Sequence, residues 1–236
     1  REHSQRVAEY SRLIADYMRG GCASGEELEL IYRSGLLHDI GKISIPDEIL
    51  NKPGRLTAEE FAVIKGHSMA GANMLSELPL DQKDEPLVKI AHQICRWHHE
   101  RYDGGGYPDG LKGEEIPVSA QVVALADVYD ALTSERCYKD AYSHEKAIEM
   151  ILAGQCGAFN PLMLECLLDI SSSLKKKMGY KSKERYEQTD LSDIASRFHD
   201  FEMDSSEKIV QQLEFERMRY NFLAEGSRNI VFTYTI

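Results

Sequence analysis

An all-α protein is predicted by three observations. Apolar residues recur at spacings of three and four nearly everywhere up to about residue 170. Nothing in that region alternates with the period of two that a half-buried strand requires. Thr57 followed by Glu60 at "LTAEEF" writes a capping-box start for a helix. The expected form is a helical bundle with a carboxyl-terminal helical extension that ends in one short strand.

Taken in order, Val7, Tyr10, Leu13, Ile14 and Tyr17 line a first helix, and Leu28, Ile31, Leu36 and Leu37 mark a second that runs into "HDIGK". The capping box at Thr57 opens a helix that carries His67 on its surface. Leu87, Ile90, Ala91 and Ile94 space a helix that ends at His98 and His99, and Val122 to Leu132 forms another. "SHEKAIEMIL" and "PLMLECLLDI" read as two more. Two irregular stretches interrupt the pattern: 44–56, with Pro46, Pro53 and Gly54, and 100–117, with its glycines, Pro108 and Pro117. Long loops in a helical bundle carry function more often than the helices they join.

The division expected is a catalytic bundle over 1–171, a basic connector over 172–192 and a linker helix with a terminal strand over 193–236. "SSSLKKKMGYKSKERYEQTD" is rich in lysine and poor in apolar residues, which suits an exposed connector. The later helix has a sparse stripe of Ile209, Val210, Leu213 and Met218, a pattern that suits either pairing with a second helix as in a homodimer or packing back on its own domain. "ERMRYNFLAEGSRNIVFTYTI" resembles the opening of a PAS-type sensor domain. Arg1 already stands in a helical pattern, so a longer parent protein is expected.

A formal net charge of −11 over 236 residues argues against general affinity for nucleic acid polymers or anionic membranes, where binding comes from Lys and Arg neutralising phosphates. Any phosphate site must be local. Cys22, Cys95, Cys137, Cys156 and Cys166 are scattered singly, which suits free thiols in a reducing compartment. No apolar run approaches the roughly 20 residues of a spanning helix. A cytoplasmic location is therefore expected.

The chemistry lies in the histidines. His92, His144 and His199 stand alone and read as surface or satisfied core positions. The others have company: His38 precedes Asp39, His98 precedes His99, and Asp127 sits in an otherwise apolar helix where an unpaired carboxylate is costly. Neighbours on a helix project about 100° apart, so each adjacent pair is expected to grip two ions, or its carboxylate to bridge them, rather than chelate one. Imidazole and carboxylate donors without thiolate favour Fe, Mn or Zn, and a bridging Asp points to a dinuclear hydrolytic centre that makes a hydroxide at neutral pH. A buried His/Asp network without metal is the other reading of these residues.

"HDIGK" with the Asp of "ADVYDALTS" resembles the HD superfamily of metal-dependent phosphohydrolases. The run through "ISIPDEILNKPGRLTAEE", His67, "HHERYDGGGYPDGLKGEEIP" and "LADVYDALTSERCYKDAY" is similar to the HD-GYP family of cyclic di-GMP phosphodiesterases, from His3 to about residue 170. The resemblance implies an HD-type bundle and metal ligation by His3, His38, Asp39, His67, His98, His99 and Asp127. It implies two or three divalent ions, Fe or Mn foremost, with Asp39 and Lys42 at the catalytic position. It also implies substrate contacts from Lys42, Gly106, Tyr107, Pro108, Arg136 and Lys139, the glycine-rich loop forming a pocket wall that helps admit the dinucleotide. The reaction implied is opening of cyclic di-GMP to pGpG by a metal-bridging hydroxide, either stopping there or going on to GMP. A cyclic GMP-AMP hydrolase and a cyclic-dinucleotide receptor without turnover are the alternatives. A mononucleotide hydrolase of the HD type is disfavoured, because it would lack the GYP loop.

Overall fold

The computed structural model describes residues 2–79, 82, 85–135 and 140–177, and all of its regular elements are helical. They are α1 (Glu2–Met18), α2 (Gly25–Gly35), α3 (Asp47–Leu50), α4 (Ala58–Ser76), α5 (Pro86–Trp97), α6 (Val118–Thr133), α7 (His144–Leu152) and α8 (Pro161–Lys177), with short 3₁₀ turns at Ile40–Ser44 and Gly113–Glu115. The all-α expectation holds among the described residues. The readings made for 193–236, strand included, lie outside them.

Local chemistry fixes the helix starts. The capping box at α4 forms as written: Glu60 N–H donates to Thr57 Oγ1 at 3.2 Å, and Thr57 N–H donates to Glu60 Oε2 at 2.7 Å. Lys52 reaches the same Glu60 carboxylate at 2.7 Å, tying the "KPG" stretch to the helix it precedes. A second capping box, Ser24 with Glu27, starts α2. Pro86 starts α5, where its missing N–H costs nothing.

α6 is the axis of the bundle. Val122, Val123, Leu125 and Ala126 are wholly buried, as expected of a helix that is apolar nearly all round. It starts four residues before Val122, and its first turn is polar yet buried because Gln121 donates to Ile116 O and accepts from Asn160. Around it α1, α5, α7 and α8 close the main core through Tyr10, Ile14, Ile94, Ile148 and Leu167. A smaller core of Ala72, Leu75, Ala91 and Cys95 joins α4 to α5. α8 runs to Lys177, six residues into the stretch expected to be connector, with Leu174 buried and Lys175 paired to Glu145 at 2.6 Å.

His67 departs from expectation. It is 1% exposed, not on the surface, because the 3₁₀ turn at Ile40–Ser44 packs directly on α4. Gly41 makes that approach possible: a Cβ there would overlap His67 O and Gly71 N.

Candidate metal centre

Five segments that are distant in sequence meet at one end of α6. α1 brings His3, the turn after α2 brings His38 and Asp39, α4 brings His67, the end of α5 brings His98 and His99, and α6 brings Asp127. Two groups each hold donor atoms that all lie within 4.8 Å of one another, His3, His38 and Asp39 in one and His67, His98 and His99 in the other. Asp39 stands between them. Its Oδ2 is 3.2 Å from His38 Nε2 and 3.8 Å from His3 Nε2, while its Oδ1 is 3.4 Å from His67 Nε2 and 4.0 Å from His98 Nε2. Asp127 Oδ1 adds a carboxylate 3.3 Å from His3 Nε2.

The backbone sets the tautomers. His38 Nδ1–H donates to Gly35 O at 2.8 Å, His67 Nδ1–H to Ile64 O at 2.6 Å and His98 Nδ1–H to Ile94 O at 2.8 Å. A carbonyl only accepts, so each Nδ1 carries a proton and each Nε2 faces the cluster, as a lone pair where the ring is neutral; burial lowers His38, but Asp39 outweighs it and holds that ring above the ordinary imidazole value. His67 Nε2 and His98 Nε2 then face each other at 3.4 Å as two acceptors. His38 Nε2, fully buried, has no hydrogen-bond partner, although Asp39 Oδ2 is near. Acceptors converging with few donors among them suit a cation, and these residues fit divalent metal by that criterion.

Electrostatics agree with the geometry. Burial holds His67 below the ordinary imidazole value, takes His98 down to about 4, and lowers His99 further with help from the charge of His98. These three are neutral ligands at physiological pH. Burial pushes Asp39 up, but His38 and Lys42 outweigh it and hold the carboxyl well below its usual range. Asp127 is likewise pushed up by burial and held low by the hydrogen bond from His3. His3, bonded to Asp127 and Asp130, is raised to about 9.

The adjacent pairs do not behave as helix geometry predicts. His98 and His99 fall in the same group, their ring centroids 4.0 Å apart, and so do His38 and Asp39. α5 ends at Trp97 and α2 at Gly35, so neither pair lies inside a helix and the 100° spacing does not apply.

Lys42 donates to Asp39 Oδ2 at 2.5 Å. Tyr107 stacks on His99, ring centroids 4.7 Å apart at 27°, and its peptide to Pro108 is cis. Gly106 lies so close to the chain at Glu100 and Arg101 that a Cβ would overlap their backbone, and Gly104 turns with φ 85°. Arg136 and Lys139 fall outside the described residues. Sequence reasoning missed two carboxylates. Glu100, 3% exposed, accepts the backbone N–H groups of Asp109, Gly110 and Leu111 at 2.8, 3.1 and 3.1 Å and so staples the glycine loop to His99. Asp130 binds His3; its place three residues after Asp127, on the same helix face, was the available signal. His144 is a satisfied core histidine, held by Tyr129 and Ser171.

A family model described as HD domain matches residues 1–159. The chain belongs to the HD domain family, and the resemblance read from its motifs is borne out. It is 43% identical over 173 residues to a cyclic di-GMP phosphodiesterase of Vibrio cholerae, covering 71% of this chain and 35% of that protein. It is 39% identical over 175 residues to the cyclic di-GMP phosphodiesterase response regulator RpfG of Xanthomonas campestris, covering 74% of this chain and 44% of that one. A 3'3'-cGAMP-specific phosphodiesterase 2 of Vibrio cholerae is 40% identical over 167 residues, covering 71% and 30%. A solved HDG"Y"P protein from Bdellovibrio bacteriovorus superposes with a TM-score of 0.56 at 22% identity, over 72% of this chain and 51% of that one, and shares the fold. The chain spans about a third of the length of the first curated relatives it matches. No helix among the described residues is long and apolar enough to cross a membrane.

Proposed function

We propose that this chain is a metal-dependent phosphodiesterase that opens cyclic di-GMP to pGpG and onward to GMP. The observation that carries the reading is the pair of three-residue groups that Asp39, a member of one and 3.4 Å from His67 Nε2 of the other, brings together, with the Lys42 ammonium against its carboxylate. Relatives named as cyclic di-GMP phosphodiesterases support the choice of substrate. Two divalent ions, Fe or Mn foremost by the family resemblance, would supply a water acidified into the neutral range and positive charge against phosphate oxygens.

The chain's own residues do the positioning. His67 and His98 hold lone pairs inward without any proton having to leave at neutral pH, His38 sits against Asp39 with its pKa raised, and Asp39 serves both groups. Lys42, with Arg136 and Lys139, pairs with the phosphate oxygens; Gly106, Tyr107 and Pro108 wall the substrate side. In the reaction a water oxygen joins phosphorus, the bond from phosphorus to the 3′ oxygen breaks, and the proton ends on that 3′ oxygen. We read 193–236 as a linker helix that pairs two chains and leads toward a sensor domain, so deleting 186–236 is expected to change the oligomeric state seen by light scattering and to leave metal content unchanged.

A second substrate, 3'3'-cGAMP, is favoured by the relative named for it at 40% identity. The test is anaerobic loading with Fe(II) or Mn(II), incubation with each dinucleotide, and chromatography of the products. Linear pGpG supports the reading, faster loss of 3'3'-cGAMP moves it to that substrate, and bound but unchanged dinucleotide makes the chain a receptor.

A further inference from the structure

Asp130 is wholly buried on α6, and both its oxygens are committed to α1. Oδ2 accepts from His3 Nδ1–H at 2.7 Å and from Arg6 Nη2 at 3.2 Å, and Oδ1 accepts from Arg6 Nε at 2.6 Å. An ionised carboxylate has no proton to give, so His3 must carry its proton at Nδ1. Its Nε2 then faces Asp127 Oδ1 at 3.3 Å and Asp39 Oδ2 at 3.8 Å. The rings of His38, His67 and His98 are set by backbone carbonyls; His3 is set by this carboxylate.

We propose that Asp130 is the positioning residue for His3, fixing its tautomer and ring angle so that Nε2 serves a divalent cation in the His3, His38 and Asp39 group. The proposal rests on reading the cluster as a metal centre. A carboxylate behind an imidazole also makes the opposite nitrogen a stronger donor, and losing such a partner lowers metal affinity about 10–100-fold. The competing role is mechanical: through Arg6, Asp130 also ties α1 to α6. Arg6→Ala separates the two, because it removes the tie and leaves the His3 bond.

The experiment titrates Mn(II) alone into the 236-residue chain, following free ion by electron paramagnetic resonance, with folding checked by circular dichroism. The parent is expected to bind two ions. Asp130→Ala should weaken one of them about 10–100-fold and leave the other at parental affinity. Asp130→Asn, whose amide oxygen still accepts from Nδ1–H, should recover most of the loss, and Arg6→Ala should keep both ions. If Asp130→Ala does not fold, Asp130→Ser, too short to reach Nδ1, replaces it. Parental binding of both ions by the Ala or Ser variant overturns the proposal. So does an equal loss in Arg6→Ala, or Asp130→Asn no better than Asp130→Ala. A parent that binds no Mn(II) overturns the metal reading itself, and the proposal with it.

Discussion

At the scale of single residues, Asp39 is the position on which both ligand groups depend. It is a member of the His3 group and also lies 3.4 Å from His67 Nε2 in the other. Asp39→Ala is therefore expected to abolish binding of both ions by metal analysis; two ions per chain in that variant would refute the shared role. His98→Ala and His99→Ala should each lose the same single ion, since the structure puts both rings in one group. The seven candidate ligands were legible as residues because the motifs that carry the family resemblance include them, and the structure brings them into one cluster. Their grouping was not, because it depends on where α2 and α5 stop, and helix ends are set by a residue or two. Glu100 was not legible, since a carboxylate that accepts from backbone leaves no local pattern, and Asp130 left only its spacing from Asp127 on one helix face.

At the scale of elements, the centre depends on two close approaches. The 3₁₀ turn that follows Asp39 lies against α4 across Gly41, where a Cβ would overlap His67 O and Gly71 N. Gly41→Ala must push the turn away from α4, at a cost of about 1–3 kcal/mol as in other overpacked sites. A lowered denaturation midpoint together with weaker metal binding is the expected result, and an unchanged midpoint would contradict the packing. The glycine loop is the second approach. Glu100 gathers three N–H groups that follow Pro108, and the loop sets Tyr107 on His99. Glu100→Ala leaves those donors without their acceptor and frees the loop, so KM for the dinucleotide is expected to rise more than kcat falls. The helices themselves were legible from period and caps. The polar first turn of α6 was not, since Gln121 and Asn160 are buried only because each finds a partner across the bundle.

At the scale of the whole molecule, a single cluster draws on residues from His3 to Asp127, so an ion bound there cross-links most of the described fold. Binding to the folded state alone stabilises it by RT ln(1 + [L]/Kd), about 2.7 kcal/mol per site at a hundredfold excess over Kd. Metal removal is therefore expected to lower Tm, and the size of the drop should depend on pH in a direction the histidines set. His3 is raised from 6.5 to about 9, so its proton stabilises the metal-free fold fully below pH 6.5, and that contribution is lost as pH rises through 9. His98 is lowered to about 4; the unfolded chain takes up a proton near 6.5 that the folded ring refuses, so the metal-free fold loses stability as pH falls from 6.5 toward 4. The metal-free protein should thus be most stable near pH 6.5 with respect to these two groups. An ion in the His3 group must displace the His3 proton, and its affinity should rise roughly tenfold per pH unit up to about 9, whereas the His67, His98 and His99 group, already neutral, should gain little. Thermal denaturation at fixed Mn(II) between pH 6.5 and 8.5 checks this. The gain in Tm over the metal-free chain should widen with pH in the parent, and the widening should shrink in His3→Ala, where only the raised His38 of that group is left to lose a proton. A gain independent of pH in the parent would mean that His3 holds no proton where the ion binds.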